Sequence, residues 1–216
     1  MAKEGGEGMT TATVTVRLAT RSDVHAIAAL IRELADFEEL AHACEVTDAK
    51  LNASLWKLPP FQGPTVFMLE IGPTGEHQED HLASAEEAEA IFEPVVRNVT
   101  LKSPIEDPSN ASFTNGNQTV VGFVLFFPNY STFLAKSGIY IEDLYVRKPY
   151  RGRGFGTILL KAVAQQAVKL GAGRVEWCVL DWNVNAIKFY EGIGANVMPE
   201  WRICRLTGKA LESCTL

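Results

Sequence analysis

A chain of 216 residues with 47% hydrophobic content is long and apolar enough for one soluble domain with a full core. The formal charge of −6 argues against a nucleic-acid surface and is compatible with a cationic small-molecule partner, and no membrane partner is expected. Cys44, Cys178, Cys204 and Cys214 form neither a CxxC pair nor a dense framework, so they read as reduced thiols of a cytoplasmic protein with no metal site.

The first stretch, MAKEGGEGMTTA, lacks the apolar core of a signal peptide and the Arg-rich amphipathy of a transit peptide. Residues 1–12 are therefore expected to be a disordered tail ahead of a single domain over 13–216. Five N-x-S/T triplets, starting at Asn52, Asn98, Asn110, Asn117 and Asn129, carry no function without secretion. Val14–Leu18 alternates as a strand, and Thr20-Arg21-Ser22-Asp23 supplies capping groups for a helix with Val24, Ile27, Ile31 and Leu34 inward. That helix ends near Phe37-Glu38-Glu39-Leu40, where acids at a C-terminus oppose the dipole and have no local structural reason. Thr47–Lys57 is expected to be a second helix with Leu51 and Leu55 inward, and Val66–Ile71 a second strand. Residues 72–118 read as an insertion: an acidic start, a short helix over Ala85–Val96, and a Ser-, Asn- and Pro-rich end. It is either a mobile surface loop or a flap over the acceptor site or a subunit interface. Thr119–Phe127 is apolar throughout and is expected to be a central strand paired with Ile139–Val146.

The strand Ile139–Val146 stops before Pro149 and runs through Arg151-Gly152-Arg153-Gly154-Phe155-Gly156 into a helix marked by Ile158, Leu159, Ala162, Val163 and Ala167. Glycines at a helix start leave bare amide donors at the positive end of the dipole, and with Arg151 and Arg153 alongside, the turn suits a pyrophosphate. No Lys-Ser/Thr pair follows as in a Walker loop, and no acid stands near Leu170–Val175 to serve a Rossmann ribose. Gly171-Ala172-Gly173 closes the helix, Arg174–Leu180 returns as a parallel strand, Asn185–Tyr190 is a short helix and Trp201–Leu206 a last strand.

The R-x-x-G-x-G turn resembles the acetyl-coenzyme A loop of the GNAT superfamily of N-acetyltransferases, with Arg151, Gly154 and Gly156 at its defining positions. Asn183-Val184-Asn185-Ala186-Ile187-Lys188-Phe189-Tyr190, followed by Gly194-Ala195, resembles a second segment of the same superfamily. The segments around Glu38, Glu142 and Trp201 are most similar to the diamine (spermidine/spermine) acetyltransferases and plant thialysine/ornithine relatives. The resemblance implies an α/β GNAT fold, a mixed central sheet flanked by helices, and transfer of acetyl from acetyl-CoA to a primary amine of a small cationic acceptor. It also implies a homodimer. A protein lysine or N-terminal acetyltransferase and a non-catalytic acetyl-CoA-binding module are the alternatives.

An amine attacks a thioester only when neutral, so a base is needed near an alkyl ammonium of pKa about 10.4. Glu142 lies where diamine acetyltransferases carry their proposed base, and Glu38 where they place a carboxylate for the distal ammonium. Adjacent strand residues face opposite sides, so Glu142 and Asp143 share a face only if a bulge intervenes. Asp143 is then either an ion pair at a sheet edge or electrostatic help for the acceptor. The resemblance gives Tyr190 the proton for the departing thiolate, Asn183 and Phe189 contacts to the cofactor, and Trp201 a wall against the acceptor. Their bland alternatives are packing and a rim aromatic. Backbone N–H groups near Leu144, Tyr145 and Val146 are expected to hold the thioester carbonyl, and Gly152 and Phe155 complete the phosphate loop.

Overall fold

A computed structural model describes residues 9–74, 92–101 and 103–214. Among the described residues seven strands form one sheet: β1 (Thr10–Leu18), β2 (Thr65–Pro73), β3 (Val95–Leu101), β4 (Thr114–Asn115), β5 (Gln118–Ser131), β6 (Lys136–Val146) and β7 (Val175–Trp177). Their order is β3-β1-β2-β5-β6-β7, with β4 hairpinned onto β5; every pairing is antiparallel except β6 with β7. Among the described residues the α-helices are α1 (Val24–Phe37), α2 (Asp48–Ser54), α3 (Phe155–Lys169), α4 (Val184–Gly192) and α5 (Gly208–Glu212). The α/β reading and the mixed sheet hold.

One face of the sheet packs on α1 and α2 through Ile27, Leu30, Leu51, Leu55, Met68, Phe123, Leu125 and Tyr145. This is where the periodicity of α1 and the inward Leu51 and Leu55 belong, and Thr47 accepts the Lys50 N–H at 3.2 Å to start α2. Helix α3 buries Phe155, Leu159 and Val163 and packs chiefly on β6 and β5. The fully apolar reading of β5 is explained by this sandwiching of its centre between two helical layers.

Four expectations are corrected. Thr10–Ala12, assigned to a tail, begin β1: Thr10 pairs with Leu101, and Ala12 is buried. Val95–Leu101, inside the supposed loop and overlapping the end of the expected helix, is an edge strand along the whole of β1; residues 85–91 lie outside the described residues. Val95, Val96, Val99 and Leu101 are half-buried and Arg97, Asn98 and Thr100 exposed, an edge-strand pattern that the surrounding polar sequence hid. The returning strand is only Val175–Trp177, and Trp201–Leu206 is irregular.

The chain divides into two compact units, one ending at Trp177 and one beginning at Cys178. The second carries α4 and α5.

Candidate active site

Strand β6 organises the first unit's site. It pairs with β5 along its length, and the register shifts between Leu125, opposite Asp143, and Phe126, opposite Ile141. Glu142 is therefore the extra residue of a β-bulge, the condition under which the two neighbouring acids escape strict alternation. Directly opposed residues share a face, so Asp143 joins Leu125, Phe123 and Tyr145 on the α1 side, while Glu142 is exposed. On its other edge β6 pairs with β7 only over Ile139–Ile141. From Glu142 to Val146 that edge has no strand partner among the described residues; since Arg147 N–H turns to Val121 O of β5, alternation turns Tyr145's the same way and aims the N–H groups of Leu144 and Val146 at the open edge.

The end of α1 brings a third acid. Leu40 N–H donates to Ala35 O at 2.8 Å and Glu39 N–H to Asp36 O at 3.2 Å, a Schellman closure in which Glu39, at φ 61°, fills the left-handed position usually given to glycine. Glu38 caps this end. Burial raises its carboxyl above the ordinary value. Burial, then the charges of Glu142 and Glu38, push Asp143 up to about 7. Among the described residues no cation pairs with Glu38, Glu142 or Asp143. Glu38, Glu142 and Asp143 thus form a cluster of carboxyl groups without a counter-charge among the described residues, an arrangement whose chemistry suits a cation.

The turn after β6 provides the second half. Gly152 and Gly154 have φ of 73° and 82°, values that favour glycine, and a Cβ on either would meet nothing within 4 Å. Their requirement is thus conformational, and the space before them is open. The first intrahelical bond of α3 is from Ile158 N–H to Gly154 O at 3.1 Å, so the amides of Phe155, Gly156 and Thr157 precede the ladder. Arg153 Nε is enclosed without a hydrogen-bond partner. Arg151 donates through Nε to Val146 O at 2.8 Å, with its guanidinium 4.5 Å from the Phe37 ring and 5.0 Å from that of Tyr145. Open space, unsatisfied amides and two guanidinium groups fit a ligand carrying phosphates.

Beneath the turn lies a network that sequence reasoning missed. Arg147 is fully buried; its guanidinium contacts Asp107 at 2.8 and 2.9 Å, Ser109 Oγ at 2.6 Å and Val120 O at 3.3 Å, and stacks 3.7 Å from the Phe113 ring. Tyr150 OH donates to Asp107 Oδ2 at 3.0 Å. Burial raises Asp107's pKa, but the hydrogen bonds from Arg147, Ser109 and Tyr150 outweigh it and leave the carboxyl below its ordinary value. The only sequence signal was a polar run rich in Ser, Asn and Pro, which gives no hint of a buried partner.

In the second unit, Asn183 caps α4, its Oδ1 accepting the Ala186 N–H at 3.2 Å. That role uses one end of the amide expected to meet the cofactor. The Phe189 and Tyr190 rings lie 5.1 Å apart on α4, and Trp201 stands in irregular chain rather than a strand.

Residues 78–195 match the Acetyltransferase (GNAT) family. The chain belongs to this family. It is 52% identical over 201 residues to L-ornithine N5-acetyltransferase of Arabidopsis thaliana, covering 92% of this chain and 86% of that protein. Thialysine N-epsilon-acetyltransferase of Mus musculus is 30% identical over 204 residues, covering 93% and 96%. Tyramine N-feruloyltransferase 4/11 of Nicotiana tabacum is 32% identical over 209 residues, covering 92% and 89%. Among solved structures, an aminoglycoside acetyltransferase from an uncultured soil metagenomic sample superposes with a TM-score of 0.58 at 16% identity, covering 91% of this chain and 97% of that one, a likeness of fold. GNAT acetyltransferases use acetyl-CoA, and acetyl transfer to an amine is the activity this GNAT protein carries.

Proposed function

We propose that this GNAT protein acetylates a primary amine of a small acceptor carrying a second positive charge, of the ornithine, thialysine or diamine type. The observation that supports this is the uncompensated set Glu38, Glu142 and Asp143 beside the open edge of β6. Acetyl-CoA supplies an activated thioester. Phe155, Gly156 and Thr157 N–H groups with Arg151 and Arg153 bind its phosphates, and Gly152 and Gly154 keep the turn open to them. Backbone N–H groups of Leu144 and Val146, on the open edge, orient the thioester carbonyl, while that of Tyr145 turns to β5. Glu142, the exposed bulge residue, takes the proton from the attacking ammonium, directly or through one water. Asp143 and Glu38 hold the distal ammonium. Tyr190 as the proton donor to sulfur, Asn183 and Phe189 as cofactor contacts, and Trp201 as an acceptor wall rest on the resemblance of their segments.

A homodimer in the cytoplasm and a single functional domain complete the reading. Among the described residues no helix is long and apolar enough to cross a membrane. The test is an assay with acetyl-CoA against ornithine, thialysine, 1,3-diaminopropane, spermidine, tyramine and a lysine peptide. Preference for the dicationic amines over tyramine and the peptide is expected. Equal or better turnover of the peptide would overturn the assignment.

A further inference from the structure

Asp107 meets both ends of the turn that leads to the phosphate loop. Before the turn, Arg147 reaches it with two nitrogens; from the turn's last residue, the Tyr150 hydroxyl donates to it. The intervening Lys148–Tyr150 is one turn of 3-10 helix, closed by Tyr150 N–H to Arg147 O at 2.9 Å and Arg151 N–H to Lys148 O at 3.3 Å. A single turn has few bonds of its own, and Arg151 follows it directly. Arg147 is also tied to β5 through its backbone N–H, 2.9 Å from Val121 O, and to α1 through Glu33, 3.6 Å from Nε. Glu33 in turn accepts from Tyr145 OH at 3.2 Å. Asp107 and Ser109 belong to the segment between β3 and β4, far in sequence from every site residue. Asp107's side chain is 3% exposed, and its hydrogen bonds go to Arg147, Tyr150 and its near neighbour Ser109.

Building on the proposed acetyl-CoA site, we propose that the 105–113 segment is a positioning element for the phosphate loop, with Asp107 as the staple that fixes the Arg147–Tyr150 turn and so aims Arg151 and the amides of residues 155–157. Removing the staple lets the turn sample other conformations. The loop must then be ordered on binding, a cost that appears in cofactor affinity and leaves the chemical step unchanged.

The experiment compares Asp107→Asn, Tyr150→Phe and Ser109→Ala with wild type by calorimetric titration of coenzyme A, by steady-state kinetics and by hydrogen exchange of residues 151–157. Glu70→Gln, which weakens the separate Arg17 cluster, serves as a control for general loss of stability. Asp107→Asn is expected to raise the coenzyme A Kd about tenfold and Tyr150→Phe about threefold, with kcat at saturation within about twofold of wild type. Exchange at 151–157 accelerates in both, while Glu70→Gln changes neither quantity. If Asp107→Asn does not fold, Tyr150→Phe and Ser109→Ala decide. Unchanged Kd and unchanged exchange in the folded variants overturn the proposal, as does an equal rise in Kd for Glu70→Gln. Failure of wild type to bind coenzyme A would instead sink the acetyl-CoA reading, and exchange at 151–157 would still report whether Asp107 holds the loop.

Discussion

Two groups of acids near α1 have opposite surroundings. At its start, Asp23 and Glu70 share Arg17, whose guanidinium lies 2.7 and 2.8 Å from Asp23 and 2.5 Å from Glu70. Burial raises Asp23's pKa, but Arg17 and Thr20 more than offset it and the carboxyl ends below its ordinary value. At the other end, Asp143 is largely enclosed beside Glu142 and Glu38 with no cation among the described residues, and its pKa rises to about 7. The first group completes itself and ties β1, α1 and β2 together. The second is costly to the folded chain, and in the proposed function an incoming ammonium relieves it. Burial of an acid is thus no guide to its role until its counter-charge has been located.

Breaking the first group should cost stability and spare recognition. Arg17→Met leaves two acids without their cation and is expected to destabilise by about 3 kcal/mol, read by urea unfolding, with the amine KM of the folded enzyme unchanged. Supplying the second group with a cation should do the reverse. Glu38→Lys is expected to raise KM for a dicationic amine about 10- to 100-fold while calorimetry finds acetyl-CoA affinity retained. The smallest effect concerns pH. Asp143's folded pKa of about 7 lies above its unfolded value of 3.8, so the folded chain holds this proton more tightly. Its contribution to stability is greatest below pH 4 and is lost as pH rises through 7. Asp143→Asn should therefore be more stable than wild type at pH 8: the full linkage of roughly 4 kcal/mol, reduced by solvent screening at this partly exposed carboxyl, leaves about 1–2 kcal/mol, with the gap closing toward pH 4 in paired unfolding titrations.

The elements that bury a repeating face were legible in the sequence: α1 and α3 by their 3.6-residue spacing and β5 by its unbroken apolar run; so was the turn after β6, by glycines whose reason is local. The bulge at Glu142 was legible only as a condition, because a register shift depends on the partner strand. Glu39 gave no sign of its left-handed conformation, since the usual glycine is absent. The 72–118 region misled because its polar composition describes what faces solvent, while Phe92, Phe113 and Asp107 are buried by contacts distant in sequence.

The central claim is that the β6 carboxylates serve an incoming amine, and the pH–rate profile of Glu142→Gln tests it most directly. The substitution keeps size and hydrogen-bonding shape but cannot take a proton. Turnover should fall about 10²- to 10⁴-fold at pH 7, acetyl-CoA affinity should hold, and the loss should shrink toward pH 10 as the free amine deprotonates. Tyr190→Phe, which removes a proton donor, should show no such recovery. Wild-type rates in Glu142→Gln from pH 7 to 10 would contradict the account and reduce the carboxylates of β6 to positioning alone.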